Sequence, residues 1–296
     1  MINVKTLNQV LERGLILVGY DKQRQARVKG TTLLRRFKAH FGNQPGVYSK
    51  LWEVLQTTDI IGVKLPIRKQ KDKDFDRFLM VIFYLKGYET EEKVASRFGI
   101  CAETMRLWVR NYVNRLSNLL PKYVVWPDTW NTEYIISVDC VNFGTNEPRH
   151  PVMHKQKKFF DRKGGKAGLT YEIALHLWEN RVVWFSGPHA PNDGGDRAIF
   201  LKGLNDKIPD GKRGIADKIY TGLAKIALHN SLDTKEVREF KARARARQES
   251  INSRLKSFGC MKQRFRHGIS NHEVFARAVM VICIVAMENG SPLFDV

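Results

Sequence analysis

The chain has no long hydrophobic run. Its longest uncharged apolar stretch, AVMVICIVAM at Ala278–Met287, is ten residues, whereas crossing about 30 Å of hydrocarbon takes roughly twenty. The N-terminal segment MINVKTLNQVLERGLILVGY carries only the short LILVG run before charges return, so no signal peptide is expected. Cysteine is scarce too: Cys101, Cys140, Cys260 and Cys283 lie far apart and form no CxxC pair. That excludes a disulfide-stapled miniprotein and a thiolate zinc site, and suits an intracellular protein with reduced thiols. No glycine-rich P-loop, internal repeat or low-complexity tract is present, and His150, His154, His176, His189 and His229 have no metal-ligand spacing. Acid is in deficit: 30 Asp and Glu face 50 Lys and Arg, a net charge of +20. Such a surplus suits a polyanion, and without a membrane anchor nucleic acid is the better match.

The sequence divides into two halves. Residues 1–66 read as a helical N-terminal region, with helical spacing in TTLLRRFKAHF and VYSKLWEVLQTT interrupted by NQPG at Asn43–Gly46. The polar stretch KLPIRKQKDKD (Lys64–Asp74) is a candidate linker. A second helical region, 67–122, opens with FDRFLMVIFYLKGY, and Pro121 and Pro127 separate it from the C-terminal half. From about 133 to 296 the pattern becomes α/β. EYIISVDCVNF (Glu133–Phe143) is β-branched and aromatic, as a buried strand is. GLTYEIALHLW (Gly168–Trp178) and RVVWFSG (Arg181–Gly187) suggest a tight hairpin turning at Glu179-Asn180. GIADKIY (Gly214–Tyr220) reads as a fourth strand. Helices over about Asp233–Phe258 and from Ser270 to Gly290 close the chain.

EEKVASRFGICAETMRLWVR fits a helix-turn-helix. Ala95 is the small residue wanted at the helix crossing, and Gly99 supplies the left-handed backbone of the turn. Val94, Phe98, Ile100, Met105 and Trp108 would form the small core. Ala102, Glu103, Arg106 and Arg110 would face outward, with Arg106 and Arg110 as DNA contacts. Helix pairs around a glycine also occur in proteins that never touch DNA; the basicity of the chain favours DNA.

Three acids stand out in this basic background. Asp139 lies inside the first strand, where a charge costs several kcal/mol unless it is paired or holds a metal. Asp217 ends the short apolar strand, and Glu249 lies on the basic helix KARARARQESINSRLKSFGCMKQRFRH. Carboxylates converging from two strands and a helix would hold two Mg²⁺ ions (or Mn²⁺), the arrangement that serves phosphodiester cleavage. At about 100° per residue, Glu249 shares a side with Ala242, Ala246 and Ser253, small residues suited to close approach to a sheet. The plainer alternative for Glu249 is a surface acid neutralising a basic helix.

ISVDCVNF, GLTYEIAL, WFSGPHAPNDGGDRAIF, GIADKIYTG and ARARQESINSRLKSFGCMKQRFRH, in this order and spacing, resemble the DDE-superfamily endonuclease domain of PIF/Harbinger-type transposases. They resemble bacterial insertion-sequence transposases more distantly. The resemblance covers about residues 130–290 and implies an RNase H-like fold. It implies Asp139, Asp217 and Glu249 as catalytic and metal-binding residues, with Asp139 touching both ions. Implied partners are double-stranded DNA, further copies of the chain on paired ends and, in eukaryotic members, a separate Myb-like DNA-binding protein. The nucleus is the expected location in a eukaryote, the cytoplasm otherwise. The first motif departs from the family's Asp-Gly-x-His: it reads Asp139-Cys140-Val141-Asn142. That departure leaves open a domesticated, catalytically inactive DNA-binding protein. Asp193 and Asp196 in PNDGGD rival Asp217 as the middle acid, or form a polar turn.

The remaining basic residues are candidate phosphate contacts. Arg149–Lys166 holds seven Lys or Arg against one Asp, interrupted by Phe159 and Phe160, and Lys157 and Lys158 are its candidates for DNA. On the long helix Arg243, Arg245, Arg247 and Lys256 are the counterparts.

Overall fold

A computed structural model describes residues 5–57, 71–147, 157–162, 164–228, 230 and 232–296. His150, His154, His229, the start of the Arg149–Lys166 segment and most of the candidate linker lie outside the described residues. The chain forms two units: Met1–Leu120 with Ser257–Cys260 and Val274–Gly290, and Pro121–Lys256 with Met261–Glu273 and Ser291–Val296.

The first unit is helical. Its helices are α1 (Leu7–Leu17), α2 (Lys22–Ala26), α3 (Gly30–Phe41), α4 (Pro45–Thr57), α5 (Lys71–Gly87), α6 (Glu91–Arg97) and α7 (Ala102–Ser117), with the single turn α8 (Leu120–Tyr123) at its boundary. Thr6 starts α1 with a capping box to Gln9. Gly14 lets α3 come close, since a Cβ there would sit 2.4 Å from the Phe37 ring. NQPG acts as the break it resembles: α3 ends at Phe41, Gly42 takes φ +94°, and Pro45 occupies the first position of α4. Phe37, Phe41, Tyr48, Trp52, Phe75 and Phe78 are buried and in mutual ring contact. Helix α5 packs on α1, α3 and α7 alike, so 7–57 and 71–117 share one core here instead of dividing at residue 66.

In α6 and α7 the turn glycine Gly99 has φ +64°, and Val94, Ala95 and Met105 are buried between the helices. Phe98, Ile100 and Trp108 are only half-buried. Phe98 meets Phe83 edge-on, and Arg77 lies over the Trp108 ring. Phe98 and Trp108 therefore tie the helix pair to its neighbours instead of closing a separate core.

The second unit is built on a mixed sheet. Its strands are β1 (Tyr134–Gly144), β2 (Phe160–Asp161), β3 (Lys166–His176), β4 (Val182–His189), β5 (Arg213–Ile215) and β6 (Ile226–Ala227). Strand β1 is central, antiparallel to β3 and parallel to β5. β3 pairs antiparallel with β4, β5 pairs parallel with β6, and β2 lies along the start of β3. The hairpin connection is wider than expected: it runs from Leu177 to Arg181, closed by His176 N–H donating to the Arg181 carbonyl at 3.0 Å. GIADKIY is not one strand. β5 stops at Ile215, and Asp217 caps the 3₁₀ turn Lys218–Tyr220 by accepting from Ile219 N–H at 2.9 Å.

Helices cover both faces of this sheet. On one face Ile136, Val138 and Ala174 pack with Phe200 of α9 (Gly195–Lys202), Leu204 of α10 (Leu204–Lys207) and Tyr220. On the other lies α11 (Lys235–Lys256), whose Gln248 accepts from Ser137 and donates to the Ile173 carbonyl, both at 3.0 Å. The face of α11 turned inward carries Lys241, Ala244, Arg247, Gln248, Ile251 and Leu255. Ala242, Ala246 and Ser253 do not follow the expected pattern: all three are exposed, as is Glu249 beside them, so the small-residue side expected against the sheet is turned towards solvent. The buried polar residues of α11 bond to protein groups, which is why its apolar pattern misleads.

After α12 (Gly259–Lys262) comes the last helix, α13 (Ile269–Glu288). This 20-residue helix is long and apolar enough to cross a membrane by composition alone. Its residues from Phe275 to Met287, except Arg277, are buried in the protein, as in an ordinary core helix.

Candidate active site

Strand alternation turns Ser137 and Asp139 towards α11, and Cys140 and Asn142 to the opposite face. Asp139 is half-buried. Its Oδ1 accepts from the Cys140 N–H at 2.9 Å and its Oδ2 from the Asn252 amide at 2.9 Å. Burial raises its carboxyl to about 6, and the charges of Asp196 and Asp217 push the same way; the two hydrogen bonds oppose them by favouring the ionised form.

Asp217 follows the end of β5, next to the central strand. Ile215 pairs with Ser137 where β5 stops, and Asp217, exposed two residues further on, lies within electrostatic reach of Asp139. Glu249 approaches from the helix, one turn before Asn252. Glu249, Asn252 and Asp139 line a single cavity of about 500 Å³, together with Asp161, Lys166, Lys256 and Lys262. Asp217 is not among its walls, and among the described residues no three His, Cys, Asp or Glu side chains stand close enough to hold a metal ion. The donor chemistry still fits a hard divalent cation: carboxylate oxygens are its ordinary ligands, and it would offset the Asp196 and Asp217 charges that help raise Asp139.

The rival acids are separated by the structure. Asp193 pairs with Lys158 at 3.4 Å. Asp196 sits in the first turn of α9, within electrostatic reach of Asp139, Cys140 and Glu172.

Glu172 is the functional-looking residue that the sequence did not flag. It faces Cys140 across the β1–β3 pair and is fully buried. The Trp184 indole donates to its Oε2 at 2.8 Å, while Oε1 is buried without a partner. Burial raises Glu172 to about 7, with Asp196 adding and the Trp184 bond opposing. In GLTYEIAL its alternate position looks like the wet side of a strand; α9 and Trp184 cover that side. Burial likewise raises the Cys140 thiol, to which the Tyr220 hydroxyl donates at 3.6 Å. Asn142 accepts from Thr170 at 2.5 Å. Alternation turns both departures from the family motif to the opposite face of β1, yet Cys140 and Asn142 still line the cavity shared by Asp139 and Glu249.

The cationic candidates fall into different settings. Arg247 is 2% exposed and donates to the carbonyls of His176, Leu177 and Glu179 at 2.6–2.8 Å. It clamps the β3–β4 connection and presents no surface to a polyanion. Arg243 donates to the Asp295 carbonyl at 2.6 Å and lies over Phe294. Arg245 is half-buried and Lys256 exposed. Lys157 is exposed at φ +46°, and Lys158 holds Asp193. On α7, Arg110 is exposed, whereas Arg106 bonds Glu91 at 2.5 Å and lies 3.5 Å from Glu92.

No protein-family model matches the chain, and no solved structure matches it. Over 275 residues it is 25% identical to a probable transposase for insertion sequence element IS702 from Microchaete diplosiphon, covering 82% of this chain and 96% of that protein.

Proposed function

We propose that this protein is a transposase: a metal-dependent DNA endonuclease that cuts and joins phosphodiester bonds at transposon ends. The observation that carries the reading is the meeting of β1, β5 and α11 near Asp139, with the Asp217 charge within electrostatic reach of it and Glu249 on its cavity. Similarity to a probable transposase along most of the chain supports the same reading. A central strand antiparallel to β3, parallel to β5 and backed by α11 supports the RNase H-like assignment. That relative belongs to an insertion sequence, so the bacterial branch of the resemblance has support that the PIF/Harbinger branch lacks.

Asp139, Asp217 and Glu249 would hold two Mg²⁺ or Mn²⁺ ions, which would supply metal-ion catalysis of phosphodiester cleavage. The protein's own groups do the rest. Asn252 and the Cys140 N–H fix the orientation of the Asp139 carboxylate. Lys166, Lys256 and Lys262 on the cavity wall draw the DNA phosphate in, and α6 with α7 forms the helix-turn-helix that reads sequence. Action on paired ends calls for more than one copy on DNA. The protein works inside the cell, where its substrate is.

The absence of a preassembled three-acid cluster among the described residues favours a second reading, an inactive DNA-binding descendant. Metal binding separates the two. Titration with Mn²⁺ followed by melting should raise Tm for the wild type and leave Asp217→Ala unchanged. A wild type blind to Mn²⁺ supports the inactive descendant.

A further inference from the structure

A second cavity, of about 520 Å³, lies in the same unit at the other end of β1 and β3 and is walled by Trp126, Trp130 and Trp178. Trp178 is 52% exposed, yet it is fixed. Its indole N–H is bonded to Thr132 Oγ1 at 2.9 Å and the Tyr134 carbonyl at 3.0 Å, and Phe240 stacks on it at 5.4 Å and 20°. An exposed aromatic ring locked in one orientation loses little entropy on binding a planar partner. Trp130 stacks on His176 at 4.9 Å and 19°. The His176 ring is itself held, because its Nδ1 accepts from the N–H groups of Trp178 and Glu179 at 3.2 and 3.0 Å. The Trp130 Nε1–H is buried without an acceptor.

We propose that this tryptophan-walled cavity receives a single unstacked nucleobase of the bound DNA. The inference rests on the DNA-processing function proposed above. A cation is the other natural guest of an aromatic cage, but Glu179 is already engaged by Arg181 at 2.9 Å and His176 at 3.5 Å. That leaves Asp128 as the remaining carboxylate on the wall, in a chain of net charge +20. A base stacks on indole whatever its identity, and Thr129 and Asn131 on the wall offer hydrogen-bonding groups to its edge. From Tyr134, which anchors Trp178, to Asp139 is five residues of strand, about 17 Å, the span of roughly five nucleotides. One strand can therefore thread both sites.

The test compares two duplexes of equal length, one fully paired and one with a single unpaired 2-aminopurine. The wild type should bind the second at least about fivefold more tightly, as one stacked base implies, and quench its fluorescence. Trp178→Ala should bring that preference close to one and keep affinity for the paired duplex within about twofold. Trp178→Phe, which keeps a ring, should retain most of it. Equal wild-type binding of both duplexes without quenching overturns the inference, and this arm holds even where Trp178→Ala fails to fold. An unchanged preference in a folded Trp178→Ala also overturns it. Loss of binding to either duplex by the wild type removes the proposed function as well; intact paired-duplex binding with no preference removes this inference alone.

Discussion

The side-chain amide of Asn252 donates to Asp139 Oδ2 across 2.9 Å, joining the long helix α11 to the middle of the central strand at the acid on which the site is built. This bond favours the ionised carboxylate. Asn252→Ala should therefore raise the Asp139 pKa above its present value of about 6. At about pH 8 it should also cost roughly 1.5–3 kcal/mol, the worth of a hydrogen bond to a charged group. Carboxyl ¹³C shifts followed against pH in metal-free buffer give the first quantity, and urea unfolding the second.

Glu172 makes stability fall with rising pH. Below its ordinary value of 4.5 folded and unfolded chains both hold the proton. Between 4.5 and about 7 the unfolded chain releases it and the buried side chain keeps it, so the folded state loses ground across that window. Glu172→Gln keeps an acceptor for the Trp184 indole and has no proton to lose. It should be more stable than the wild type by about 1–3 kcal/mol at pH 8 and equal to it near pH 4.5. Chemical unfolding with EDTA at the two pH values checks both arms.

How far the fold was legible depends on where apolarity alone decides. β1 announces itself because Ile135, Ile136 and Val138 are β-branched and buried. The α3–α4 break is readable because Pro45 fixes its own φ and Gly42 takes the φ of +94° that other residues rarely adopt. Local side-chain hydrogen bonds defeat the same reasoning elsewhere. Asp217 takes the Ile219 N–H and ends a strand that alternation alone would have continued to Tyr220. On α11, Arg247 and Gln248 are buried because backbone carbonyls accept from them, a fact no hydrophobic pattern contains. Asp139 was visible as a charge in an apolar strand; the burial of Glu172 required knowing that α9 covers its face.

Arg106 and Arg110 should separate in their effects on DNA. Arg106 is held by Glu91 and Glu92 and must leave them to reach a base, whereas Arg110 is exposed on the same helix. Arg110→Ala should cost about 1–3 kcal/mol of discrimination for the cognate end over random DNA, and Arg106→Ala less. Competition binding with the two DNAs measures it. Equal losses on both DNAs for Arg110→Ala would mean that α7 does not read sequence.

The net charge of +20 makes binding a matter of counterion release. Affinity for random duplex should fall steeply with salt, with a log–log slope of about −0.9 per phosphate neutralised. Replacing Lys256 by Ala should reduce that slope by about one. Arg247→Ala should leave the slope unchanged and lower the melting temperature, because Arg247 holds the β3–β4 connection from inside the protein.

The decisive measurement is a nicking assay on supercoiled DNA carrying the transposon ends, run in Mg²⁺ and in EDTA with the wild type, Asp139→Asn, Asp217→Ala and Glu249→Gln. The wild type should nick in Mg²⁺ alone. Each variant should lose at least about a hundredfold, as the two-metal role of these carboxylates demands, with DNA affinity equal to or slightly above that of the wild type. Nicking at the wild-type rate by Asp139→Asn or Asp217→Ala, or a wild type that binds the ends and never cuts them, would contradict the assignment of these acids to a metal-dependent nuclease.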